Sequence, residues 1–239
     1  MGGMTSPDDL EPGIDAVAAL IDPARRAAYR VVAAAGAVPV GRDEVAAALG
    51  VGRTLAAFHL DKLVDAGLLE VSYARRSGRS GPGAGRPAKL YRRTAVEHAV
   101  SVPPRAYRAA AEALAEAVED SGADAAACRA AQRRGRAIGA AAGPESDVLA
   151  VLAGQGYEPV RVGAVVRLRN CPFHLLAEQF PPLVCGMNLA LVGGVLAGAG
   201  WPGWRARLDP LPGHCCVAIE HSEDAEHSED AERSKDNEN

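Results

Sequence analysis

Apolar positions recur at helical spacing through Ala28, Tyr29, Val32 and Ala33. They lie behind Asp22 and Pro23, which read as an N-cap and a first helical residue, and ahead of Gly36. This predicts a first helix over 23–36. The Gly-, Pro- and acid-rich residues 1–14 before it are expected to be disordered. A second, short helix is expected over Asp43–Leu49 with Gly50 as its stop. A third should run from about Gly52 to Gly67, with Leu55, Leu60, Leu63 and Val64 as its apolar positions. The pattern then predicts strands over Leu68–Arg75 and Lys89–Arg93, joined by a loop of about thirteen residues rich in Gly, Ser, Pro and Arg.

Helical spacing returns in an alanine-rich stretch from Pro103, where Tyr107, Leu114 and Val118 share one face, and again over Ala123–Ala142. Beyond Gly143 and Pro144 the expectation is a helix over Asp147–Ala153 and strands over Tyr157–Val162 and Val165–Arg169. Helical segments around Leu175 and over Val184–Leu196 follow, and then strands over Arg205–Leu208 and Cys215–Ile219. The last residues repeat His-Ser-Glu-Asp-Ala-Glu from His221 and from His227. The whole reads as α+β. The expected divisions are a first domain over 15–100, a helical linker or dimerisation region over 101–143, a second domain over 144–220 and a disordered acidic tail over 221–239.

Composition changes this picture in two places. The chain carries a net charge of −4, yet residues 51–108 hold eleven Lys/Arg against four Asp/Glu, which marks where a polyanion would bind. Residues 221–239 hold eight acids against Arg233 and Lys235. No apolar run reaches the roughly eighteen residues of a membrane span and no signal-peptide pattern opens the sequence, so a cytoplasmic location without a membrane partner is expected. In such a reducing compartment the five cysteines are expected as thiols or metal ligands rather than disulfides.

The segment Val40–Val71 combines a tight turn at Gly50, an apolar-backed third helix and an Ala66-Gly67-Leu68-Leu69 passage into a strand. It resembles the winged helix-turn-helix of the ArsR-like transcription regulators. The resemblance implies double-stranded DNA as partner, with the third helix entering the major groove N-terminus first. Arg53, Thr54, Ala57, His59 and Lys62 are then the candidate base or phosphate contacts, although His59 could equally pack inward. In the loop, Gly removes bulk and Pro fixes direction, so Arg86 could enter a narrow minor groove while Arg79 and Lys89 take phosphates.

Three further motifs carry cysteine: Asn170-Cys-Pro-Phe-His174, Val184-Cys-Gly-Met-Asn188 and Gly213-His-Cys-Cys-Val217. Their separations are too wide for a zinc ribbon, so any shared centre must be assembled by the fold. Together with the Gly83–Tyr91 wing they resemble the iron-sulfur-responsive regulators of the SufR type. The resemblance implies an iron-sulfur cluster on Cys171, Cys185 and Cys215 or Cys216, with operator affinity that depends on it. Zinc is the alternative metal, since thiolates suit both. A fourth ligand would be His174, His214, the second vicinal cysteine or an exogenous group. On a strand Cys215 and Cys216 face opposite ways, which favours Cys215 as the inward one. The other reading of all three sites, and of Cys128, is buried thiols acting as small apolar residues.

The expected function is a homodimeric DNA-binding regulator, a repressor, that responds to a metal, cluster or thiol state. The alternative is a winged-helix regulator with structural zinc or no metal that responds to a small molecule or a protein. An enzyme is not expected, because the Cys171 and His174 pair lacks an identifiable oxyanion donor or orienting acid.

Overall fold

The structure, a computed structural model, describes residues 7–75 and 87–222. It divides into two compact units, Met1–Ala106 and Tyr107–Asn239.

The first unit opens with α1 (Pro7–Ala19), where the sequence suggested disorder as far as residue 14. Ala16 and Ala19, one helical turn apart, are buried in the core of this unit. Alanines bury a helix face without producing a strong apolar pattern, which is why composition misled here.

The second helix, α2 (Pro23–Ala34), begins as expected: the Asp22 carboxylate accepts from the Arg25 amide at 2.9 Å and Pro23 stands in the first turn. β1 (Val40–Gly41) is too short to show alternation and was not foreseen. It leads directly into α3 (Arg42–Leu49), which Gly50 closes at φ +66°, a left-handed value that glycine adopts without a Cβ penalty. The third helix of the sequence reading is α4 (Arg53–Asp65). Strands β2 (Leu69–Ala74) and β3 (Ala88–Arg93) pair antiparallel from Leu69 with Arg93 to Ala74 with Ala88, and β1 adds to the far edge of β3.

Val32, Val45, Ala56, Leu60, Leu63, Leu68, Leu69 and Tyr91 fill the space between these helices and the sheet. This is a helix-turn-helix followed by a strand hairpin. Leu55, expected among the apolar core positions of α4, is instead 46% exposed.

The second unit contains α5 (Tyr107–Asp120), α6 (Asp124–Ala142), α7 (Val148–Gly154), β4 (Pro159–Val162), β5 (Val165–Leu168), α8 (His174–Gln179), α9 (Pro181–Ala199), β6 (Trp204–Leu208) and β7 (Val217–His221). Its sheet is antiparallel throughout, in the order β4-β5-β7-β6. Val148, Leu152, Val166, Leu168, Val192, Leu196, Val217 and Ile219 form its core.

The expected linker over 101–143 is not a separate piece, because α6 forms a close pair with α9 within the unit. Glycine makes the contact. A Cβ on Gly135 would overlap the carbonyl of Leu191 and one on Gly139 that of Val195. On the facing helix, Gly194 and Gly198 meet the backbone of Gln132 and Arg136 in the same way. The two helices therefore approach backbone to backbone, running in the same direction. α9 is long and apolar enough by length and composition to cross a membrane, but Leu183, Val184, Val192, Val195, Leu196 and Ala199 bury against this unit. On α5, Tyr107 and Leu114 are exposed, while Val118, expected on the same face, is half-buried.

Candidate nucleic-acid interface and thiol centre

In α4 the 3.6-residue repeat sends Ala56, His59, Leu60 and Leu63 to the core and leaves Arg53, Thr54, Leu55, Phe58 and Lys62 outside, with Ala57 half-buried. Arg53 stands at the first helical position, 73% exposed, with Nε 3.1 Å from the Asp43 carboxylate on α3. Lys62 pairs with Asp65 one turn on, at 3.2 Å. His59 does not belong to this surface. It is 8% exposed, its ring meets Phe58 edge-on, and its Nδ1 has no hydrogen-bond partner among the described residues. The burial that makes His59 part of the packing removes it from any groove.

Phe58, more than half exposed, is the residue the sequence reading passed over. An aromatic ring on the outer face of such a helix can contact a thymine methyl. The available signal was its position four residues after Thr54, on the same side of the helix.

Lys89 was expected to meet a phosphate. Instead its Nζ lies 2.6 Å from the Asp61 carboxylate of α4, which also accepts from the Tyr91 hydroxyl at 2.9 Å. Burial would push Asp61 up, but the hydrogen bonds from Lys89 and Tyr91 outweigh it and leave its pKa lowered; the same bond raises Lys89. Burial first and the Asp61 bond second push the Tyr91 phenol up to about 12. The three side chains tie β3 of the hairpin to α4. Arg79 and Arg86 lie outside the described residues.

In the second unit the fold brings together cysteines from three separate motifs. Cys171 follows β5, Cys185 stands in the second turn of α9, and Cys215 and Cys216 lie just before β7 rather than on it. Because they precede the strand, the expected alternation does not separate them. Cys215 interacts electrostatically with both Cys171 and Cys216, and Cys216 with Cys185, so the four thiols lie close together. Cys171 and Cys216 hold the Cys215 thiol well below its ordinary range, to about 3, while the interaction with Cys215 and burial push Cys171 and Cys216 up. These thiols titrate as one group.

Cys215 is 2% exposed. The Asn188 side-chain amide donates to its sulfur at 3.1 Å, the Val217 amide approaches it at 3.5 Å, and the Tyr157 hydroxyl donates to the Asn188 carbonyl oxygen. Burial pushes the Tyr157 phenol up.

His174 is not drawn into this group: it is exposed, with Nε2 3.2 Å from Glu178 one turn along α8. His214 is likewise turned to its own loop, Nδ1 lying 3.2 Å from the Pro212 carbonyl. Cys128 is half-buried on α6, its sulfur opposite Gly186. Among the described residues no group of three or more His, Cys, Asp or Glu stands as a ready-made metal site. An apolar cavity of about 710 Å³ opens beside the thiols, lined by Ala131, Ile138, Phe173, Met187 and Leu191, with Tyr157 in its wall and Arg134 as its cation.

No family profile and no curated protein matches the chain. A solved structure that it is similar to is the solution structure of a Mycobacterium bovis domain, described as the homodimeric winged helix-turn-helix DNA-binding domain of a possible ArsR-family transcriptional regulator. The identity is 21% and the TM-score 0.27, over 39% of this chain and 75% of that one.

Proposed function

We propose that the chain is a DNA-binding transcriptional regulator whose affinity for its operator is set by the state of the thiol centre. The exposed face of α4 carries the DNA half of this reading. Arg53, Thr54, Phe58 and Lys62 stand clear of the core on a helix that follows a glycine-closed turn, and the hairpin beside it is tied on by Asp61. Arg53 stands at the N-terminal end of α4, where the macrodipole favours an anion; it pairs there with Asp43 and stays exposed enough to meet a phosphate. The regulator acts as a homodimer, as reading two half-sites requires, and the uncovered Tyr107 and Leu114 of α5 suit contact with a second copy.

The thiol centre carries the response. The donor set fits an iron-sulfur cluster or zinc in its chemistry: four neighbouring sulfurs are present, one of them already backed by buried amide donors. Cys171, Cys185, Cys215 and Cys216 would hold the group, with His174 and His214 outside the set. When bound, the group would supply a change of charge and cross-linking on its gain or loss. The chain's own part is to gather the thiols, to keep Cys215 buried and to satisfy its charge. For this to be regulation, the two states of the centre must differ in free energy between the binding and non-binding forms by a few kcal/mol, as an order of magnitude.

A second reading is favoured by the apolar cavity beside the centre. In it, Phe173, Met187 and Leu191 receive a small molecule, Arg134 meets its charge, and the thiols need no metal.

The test is anaerobic purification of the full chain and of Cys171→Ser, read by visible absorbance, iron and zinc content and operator binding. Brown wild-type protein, a bleached variant and cluster-dependent operator affinity are expected. Zinc in both proteins with constant DNA affinity would make the centre structural, and metal-free protein with DNA affinity indifferent to Cys171 would leave the cavity as the responsive site. Salt-independent or absent DNA binding would remove the regulator reading itself.

A further inference from the structure

Asn188 is the one side chain of amide or charged type on α9, a helix that is otherwise apolar or thiol-bearing along its whole length. It is fully buried, at 0% exposed. A buried amide is costly unless its groups are bonded, and here both ends are engaged: its carbonyl oxygen accepts from Tyr157, itself 3% exposed, and its NH2 donates to the sulfur of Cys215. A leucine would suit the apolar core of this unit better. The polar chain from phenol to amide to sulfur runs in one direction and ends on the thiol that the other cysteines also approach.

We propose that Asn188, braced by Tyr157, is a positioning residue of the thiol centre. It fixes the Cys215 sulfur as a hydrogen-bond acceptor facing Cys171 and Cys216, so that a soft metal ion meets a sulfur already oriented and already compensated. The inference rests on the thiol centre being the responsive site of the proposed regulator. Tyr157 acts only through Asn188, because its hydroxyl is spent on the Asn188 oxygen. Groups that orient a metal's ligands in this way are worth about 10- to 100-fold in metal affinity.

The experiment uses the full chain under anaerobic conditions with cobalt(II) as the probe, read by its thiolate charge-transfer absorption. Asn188→Leu is expected to weaken cobalt binding about 10- to 100-fold and to shift the absorption band. Tyr157→Phe should weaken it less, and should add nothing in the Asn188→Leu background. That missing increment is a signature that loss of packing alone would not give. Asn188→Leu strands the Tyr157 hydroxyl, so the double variant, which removes both polar groups, covers the case in which the single variant does not fold.

Equal cobalt affinity in wild type and Asn188→Leu overturns the proposal and leaves the metal reading of the centre standing. If wild type takes up no cobalt, the metal reading fails and the proposal falls with it.

Discussion

The two units are held together in different ways. In the first, side chains fill the gaps between helices: Val32, Val45, Leu60 and Leu63 separate α2, α3 and α4, and the candidate DNA contacts are hung on the outside. In the second, α6 and α9 touch through Gly135, Gly139, Gly194 and Gly198, and the candidate chemistry lies inside, around Cys215. A unit that packs by side chains can lose an exposed residue cheaply. One that packs backbone on backbone has no room for a single added methyl at the contact.

The largest effect should come from that contact. Gly139→Ala places a Cβ where the Val195 carbonyl already stands, and backbone cannot move aside as a side-chain end can. The expected loss is at least the upper part of the about 1–3 kcal/mol of ordinary overpacking. Gly193→Ala on the same α9 meets nothing within 4 Å and should be neutral or stabilise by up to about 1 kcal/mol, through helix propensity. Urea unfolding of the pair measures the contrast. Equal midpoints for the two variants would mean that the glycine contact is not what joins the helices.

Next in size are substitutions in the first unit that should leave its stability alone and reduce binding. Arg53→Ala is expected to weaken operator DNA by roughly 10- to 100-fold if it reads a base, with relaxed discrimination at that position. An even loss across all sequences, together with a salt slope lower by about one, would reassign it to phosphate. Phe58→Ala should weaken specific binding less, and should change unfolding by no more than about 0.5 kcal/mol, because its ring is mostly outside the core. Fluorescence anisotropy with operator and scrambled duplexes separates these outcomes.

The same contrast explains what could be read from the sequence. Local chemistry announced itself: Asp22 and Pro23 as a helix start, Gly50 as a stop, and the exposed residues at the beginning of α4 by helical spacing. Features that depend on distant partners did not. His59 and Thr54 look alike as polar residues on one helix, and only the packing of α4 against its neighbours decides that one is buried. Lys89 read as a free cation because its partner, Asp61, lies twenty-eight residues earlier. The cysteines were legible as a group but not as an arrangement: Cys215 and Cys216 share a cluster because the chain has not yet entered β7, and Asn188 became significant only when its amide was found against a sulfur. The Ala16 and Ala19 face of α1 was silent because alanine is too small to shape a pattern.

The smallest expected effect tests whether the hairpin depends on α4 for its placement. Asp61→Asn keeps the shape and a carbonyl acceptor for Tyr91 but removes the charge that faces Lys89. Asp61 is half exposed and Lys89 more than a third, so solvent screening limits the loss to about 1 kcal/mol or less. The sign of its pH dependence is fixed by the lowered pKa. The contribution of Asp61 is complete above the unfolded value of 3.8 and disappears as pH falls through the lower folded value. Wild type should therefore lose the difference from Asp61→Asn on acidification, and the two unfolding curves should converge at the acid end. Freed from its partner, Lys89 can reach a phosphate, so the variant's salt dependence on DNA should steepen slightly even as its stability falls. An unchanged salt slope with the stability loss intact would mean that Lys89 serves only to fasten the hairpin.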